Sequence, residues 1–217
     1  MSSISARAAL LFAVVTAAPV AAQNANEALA RAESAYRSLT SLRAEFTQTI
    51  ANPMLGDPEV SRGVLFLAKP DKFAMRFAEP AGDRLVADGE WLWIYTPSTV
   101  PGQVIKQTIP QSGHSTPNLF SQFVEGARTR YRARYQGTAE IGGEQVDLVH
   151  LTPLSEEPFL EATIGVARDT GLLRLVAFTE VSGQTRRFVF DTIQPNVEIA
   201  SAELQFEIPA GARVVTP

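Results

Sequence analysis

The stretch RGVLFLAKPDKFAMRFAEPAGDRLVADGEWLWIY, residues Arg62 to Tyr95, decides the fold. It holds four short runs rich in strand-forming residues: Gly63–Ala68, Phe73–Phe77, Leu85–Val86 and Trp91–Tyr95. Turn residues separate them. Side chains alternate across a strand, so Phe73, Met75 and Phe77 share one face and Lys72, Ala74 and Arg76 share the other. Asp88-Gly89 is a strong hairpin signal, because Gly accepts the positive φ that a tight turn requires. The stretch therefore reads as an antiparallel meander with one strongly apolar face.

Outward from it, Ala44–Ile50 precedes the meander and Val104–Ile109 follows it, and each reads as a strand. A second meander covers Gln145–Thr152, Leu160–Ala167, Leu172–Glu180 and Arg186–Ile193, joined through Asp169-Thr-Gly171 and Ser182-Gly183. Leu204–Ile208 is a further candidate strand. In this half Ala162, Ile164 and Val166 share one parity; Leu173, Leu175 and Ala177 share another; Phe188 and Phe190 pair likewise. About ten strands of this kind fit an antiparallel barrel, open or closed. A filled core and a ligand cavity fit the alternation equally well, and Trp91–Tyr95 is apolar on both sides.

Asn26–Thr40 reads as a helix with Leu29, Ala32, Tyr36 and Leu39 on one stripe and Asn24 or Asn26 as its cap. Pro117 opens a second, short helix over Asn118–Glu125 that Gly126 ends. Leu119, Phe120, Phe123 and Val124 make its apolar side, which suits either a lid or ordinary core packing. Arg128-Thr-Arg-Tyr-Arg-Ala-Arg-Tyr135 reads as a strand with one basic face. That face is either a solvated exterior or a docking patch for an anionic lipid or acidic partner.

The N-terminus reads as a processed leader. Arg7 precedes the apolar run Ala8–Ala18, and Val20-Ala21-Ala22 is a small-x-small cleavage signal, so the mature chain is expected to start at Gln23. The run is too short to span a bilayer. The 217 residues then comprise a leader, 1–22, and one domain, 23–217. With no cysteine, the chain has neither disulfides nor thiolate chemistry, and it has no N-terminal Cys to be lipidated. A net charge of −4 argues against nucleic acid as a partner.

Catalytic signals are weak. Gly113-His114-Ser115-Thr-Pro117 lacks the second Gly of a nucleophile elbow. Asp169-Thr-Gly171 occurs once, whereas an aspartic-protease dyad needs two carboxylates. His114 and His150 are the only histidines and stand far apart in the sequence, and no phosphate-binding Gly loop is present. The reading is of a protein that is not an enzyme and carries no cofactor or metal.

Taken in order, Ser41-Leu-x-Ala-x-Phe46-x-Gln48, Lys69-Pro70-x-x-Phe73, Pro80, Asp88-Gly89-x-x-x-Trp93-x-Tyr95, Thr116-Pro117-x-Leu119 and Phe206-x-x-Pro209-x-Gly211 resemble the LolA-type periplasmic carriers of outer-membrane lipoproteins. The resemblance covers nearly all of the expected mature chain. It implies a mainly β (α+β) fold: an open antiparallel half-barrel of about ten strands, with short helices as a lid over its concave face. It implies a monomeric periplasmic chaperone that shelters the acyl chains of lipoproteins. An inner-membrane ABC-type complex would load it and an outer-membrane lipoprotein receptor would unload it. The alternative is a binder or sensor of another lipid or glycolipid on the same fold.

The lining expected for acyl chains is Phe46, Leu65 and Leu67 from the first strands, then Phe73, Met75, Phe77, Trp93 and Ile105 from the central meander. Leu119, Phe120 and Phe123 join from the lid, and Ile164, Leu173, Leu175, Phe188 and Phe190 from the second meander. The resemblance also makes Lys69 the lid latch. The family leads one to expect Arg there, and Lys lacks the planar fork of donors.

Overall fold

In the computed structural model, which describes residues 18–54, 56–109 and 118–217, the chain forms one twelve-stranded sheet and three helices. The strands are β1 (Ser41–Ala51), β2 (Glu59–Ala68), β3 (Lys72–Glu79), β4 (Arg84–Asp88), β5 (Trp91–Tyr95), β6 (Gln103–Thr108), β7 (Tyr131–Ile141), β8 (Glu144–Pro153), β9 (Phe159–Ala167), β10 (Leu173–Glu180), β11 (Thr185–Pro195) and β12 (Arg213–Val215). Their order is β12-β6-β5-β4-β3-β2-β1-β11-β10-β9-β8-β7. The two meanders are thus joined by β1 pairing with β11, and the ends β12 and β7 do not meet. The half-barrel is open, with twelve strands where the sequence suggests about ten.

The Asp88-Gly89 signal behaves as read. Gly89 has φ +105. The Asp88 carboxylate accepts from the backbone N–H of Glu90 (2.9 Å) and Trp91 (2.8 Å) and from Trp93 Nε1 (2.7 Å). Burial pushes this carboxyl up, but these three donors outweigh it and hold it below the ordinary carboxylate range.

Helix α1 (Ala18–Ser38) lies across the concave face. It starts upstream of the expected Asn26, so Asn24 and Asn26 sit inside it and cap nothing. Leu29, Ala32 and Leu39 of its predicted stripe are buried, and Tyr36 is half-buried. Helices α2 (Leu119–Val124) and α3 (Ala127–Arg130) follow on the same face. Asn118 caps α2, accepting from Phe120 N at 3.1 Å and Ser121 N at 3.4 Å. The motif Gly113-His114-Ser115-Thr-Pro117, with the helix-opening Pro117, lies outside the described residues.

Two further expectations fail against this fold. Leu204–Ile208 is not a strand: Ser201–Leu204 is a 3-10 turn, and the final strand is Arg213–Val215, running parallel to β6. This segment covers the outer face of β2–β6. Phe206 stacks on Trp93 with ring centroids 5.2 Å apart, and Arg76 and Arg84 donate to the carbonyls of Ala202 (2.6 Å) and Glu207 (3.1 Å). Nor is Arg128–Tyr135 one basic strand. Arg128 and Arg130 belong to the helical turn α3, and their guanidinium groups reach Glu33 of α1 (2.9 Å) and Glu157 (3.0 Å). Only Arg132 and Arg134 remain on the exposed face of β7.

Candidate functional site

The sheet has two apolar faces, and each contributes a different core. On the concave side Leu42, Ala44 and Phe46 of β1 meet Leu65 and Leu67 of β2, Phe73 and Met75 of β3, and Phe188 and Phe190 of β11. Phe77 joins at the rim, edge-on to Phe46 with centroids 5.3 Å apart. Ile164 and Leu173 continue the lining on β9 and β10, and half-buried Ile105 pairs with Ile94 on the same side. Eleven residues of the expected lining therefore share one surface: Phe46, Leu65, Leu67, Phe73, Met75, Phe77, Ile105, Ile164, Leu173, Phe188 and Phe190.

Trp93 and Leu175 do not belong to it. Trp93 packs in the outer cluster with Phe66, Ala74, Val86, Val104 and Leu204. The inward residues of β5 are Leu92 and Ile94. Leu175 is opposite Gly165 and Val189, and a β-bulge between Leu173 and Leu175 reverses the parity. Val176 and Phe178 therefore face inward in place of Leu175. A strict two-residue period misses this, since one extra residue flips every side chain beyond it.

The helices close the concavity. Phe120 of α2 meets Phe190 at 5.2 Å, and Phe123 meets Phe159 at 5.2 Å and Phe178 at 5.6 Å. Phe123 is fully buried. Leu119 begins α2, and its side chain lies outside the described residues. Burying each phenylalanine contributes about 1.5–3 kcal/mol, so this cover is held chiefly by apolar contact.

Among the described residues, its polar ties are identifiable. Lys69 Nζ, between β2 and β3, donates to the carbonyls of Tyr36 (2.5 Å) and Arg37 (3.3 Å) at the C-terminus of α1. A cation there also complements the negative end of the helix dipole. Lys69 reaches α2 only indirectly: Asn118 Nδ2 donates to Tyr36 Oη at 3.2 Å. Beside α3, Tyr131 Oη donates to Gln122 O at 2.9 Å and Arg130 Nη1 to the same oxygen at 3.1 Å. Burial pushes the Tyr131 phenol up to about 12, so it stays a neutral donor. Upstream of Tyr36 on α1, Arg31 is paired with Asp147 of β8.

Among the described residues, no group of three or more His, Asp or Glu is arranged to hold a metal ion. His150 is half-buried in β8 with Nε2 3.7 Å from Glu161. Asp169-Thr-Gly171 is a hairpin turn, and Gly171 has φ +72. No helix among the described residues is long and apolar enough to cross a membrane. What the arrangement offers is an apolar concave surface covered by the helices α1–α3.

Comparison with known proteins agrees with this geometry. The chain is 29% identical to an outer-membrane lipoprotein carrier protein of Chromobacterium violaceum, over 95% of this chain and 98% of the relative. It is 26% identical to the protein of the same description from Chromohalobacter salexigens, over 95% of each. Among solved structures, an uncharacterized conserved protein from Thermus thermophilus superposes with a TM-score of 0.56 at 12% identity, covering 90% of this chain and all of that one. The MucA/MucB complex of Pseudomonas aeruginosa gives a TM-score of 0.52 at 18% identity, covering 89% of this chain and 64% of that one. These two likenesses describe the fold. The family profile described as outer membrane lipoprotein carrier protein LolA matches residues 37–207. The chain therefore belongs to the LolA family of outer membrane lipoprotein carrier proteins.

Proposed function

We propose that this protein is a periplasmic carrier that shelters the acyl chains of lipoproteins between the sheet and the helices α1–α3. The observation that carries the reading is the continuity of one apolar surface beneath the helical cover. Residues 1–22 act as the export leader, and residues 23–217 form the carrier domain. An inner-membrane ABC-type complex loads it, an outer-membrane receptor unloads it, and it works as a monomer without a cofactor.

The mechanism follows from magnitudes. Burying a methylene is worth about 0.8 kcal/mol, so one sixteen-carbon chain fully sheltered gives roughly 12 kcal/mol gross. Three such chains would exceed the ceiling near 18–21 kcal/mol that non-covalent affinity reaches. Part of that energy is therefore used to displace Phe120, Phe123 and Leu29 from the concavity. Escape of a triacyl client into water is slow, so delivery is a direct hand-over. As the client leaves, the helices' own side chains refill the space and the closed state returns. No bond is made or broken.

The test is native mass spectrometry of protein purified from its host's periplasm. Bound lipopeptide is the expected result. A free lipid or glycolipid would replace this reading with that of a binder for another lipid, and a cleaved product pair would make the protein an enzyme.

A further inference from the structure

We infer that Asp147, together with Arg31, is a second, reversible clasp on the cover, placed on α1 just upstream of the Tyr36 and Arg37 carbonyls that Lys69 holds. This extends the carrier reading to the control of cover opening. The two oxygens of the Asp147 carboxylate are divided between two bodies. Among the described residues, Oδ1 accepts from the sheet side: from Arg168 Nε at 2.9 Å, just after β9, and from Tyr135 Oη at 2.9 Å, on β7. Oδ2 accepts from Arg31 Nη2, on α1. Asp147 itself is buried, with 6% of its surface exposed.

That division makes the clasp releasable. A buried carboxylate stripped of all its donors is strongly destabilising. Here the removal of Arg31 leaves Arg168 and Tyr135 in place, so the charge on the sheet stays paired when α1 lifts. Arg31 loses little, because its side chain is 36% exposed and borders an open cleft of about 300 Å³. Asn24, Glu27, Tyr135 and Arg168 line the same cleft, so the freed guanidinium passes directly to water or to Glu27. Asp147 and Arg31 are thus positioning residues for the cover and touch no client.

The test uses hydrogen exchange of α1 amides in the full mature protein, with no ligand. Arg31→Gln is expected to speed exchange over residues 24–34 by about tenfold, the size of one charge-assisted hydrogen bond. Arg31→Lys restores most of the protection, because one donor suffices. Arg168→Gln changes exchange by less than about twofold, since Tyr135 and Arg31 still hold the carboxylate. Both arginines are at least one-third exposed, so neither variant threatens folding. Wild-type exchange in Arg31→Gln would overturn the inference. So would equal loosening by Arg168→Gln, which would make the cluster a fixed knot of the sheet. Failure of the wild-type protein to bind a fluorescent C16 acyl probe would instead remove the carrier reading and leave the clasp standing.

Discussion

Lys69 Nζ stands 2.5 Å from the carbonyl oxygen of Tyr36 and 4.4 Å from the centroid of the Tyr36 ring. One cation thereby satisfies the end of α1 and braces the aromatic side chain whose hydroxyl accepts from Asn118, the cap of α2. Lys69→Leu removes both ties and destabilises the closed state. The expected result is tighter retention of an acyl probe, by about fivefold for one partly exposed charged hydrogen bond, with slower hand-over. Lys69→Arg should behave as wild type. Unchanged loading and unloading in Lys69→Leu would remove this residue from the cycle.

Gly171 is the point where the β9–β10 turn meets α1. A Cβ there would lie 2.7 Å from Arg31 O and 3.1 Å from Ala35 Cβ, on a backbone with φ +72. Gly171→Ala forces the helix away from the sheet and strains the turn, at a cost of about 2 kcal/mol. Thermal unfolding measures this as a lower Tm, with faster exchange in α1. An unaltered Tm would show that the helix seat is compliant.

Faces can be separated by paired substitutions. Phe77→Gln, at the concave rim, should weaken acyl-probe binding by about fivefold, in line with about 1 kcal/mol of lost apolar contact. Trp93→Phe, on the outer face beneath Phe206, should leave binding unchanged while lowering stability. The reverse pattern would put the ligand on the other side of the sheet.

Two titrations bracket the closed state. Burial pushes the Asp147 carboxyl up, but hydrogen bonds from Arg168 and Tyr135 and the charges of Arg168 and Arg31 outweigh it and hold it below its ordinary range. Its stabilisation is therefore present above about pH 4 and lost as pH falls through the lowered value. Tyr131 works in the opposite sense. Its pKa is pushed up to about 12 by burial, so its contribution is complete below about pH 10 and is lost between about pH 10 and that raised value. Protection of α1 and α2 followed against pH should be flat between these limits. In Tyr131→Phe the alkaline loss should shrink; if it persists unchanged, another group is responsible.

Much of this architecture is legible in the residues. Phe73, Met75 and Phe77 announce their common face by strict alternation, and Asp88-Gly89 announces its turn. The errors have local causes. The Leu173–Leu175 bulge is invisible to a period of two, so alternation alone puts Leu175 on the wrong face. In Trp91–Tyr95 both parities are apolar because the C-terminal segment covers the outer side, and nothing nearby in sequence reveals that Phe206 will cover Trp93. Arg128 and Arg130 alternate like strand residues, yet their partners Glu33 and Glu157 draw them into a helical turn. Arg31 and Asp147, 116 positions apart, give no sequence signal of their pairing.

The central claim is that acyl chains enter the concavity by lifting the helices. Hydrogen exchange of the mature protein with and without a triacylated lipopeptide tests it most directly. Stoichiometric binding is the predicted result, with protection lost in α2 and the C-terminal half of α1 and kept in β1, β2 and β11. Binding that leaves the helices as protected as before would contradict it, as would no binding at all.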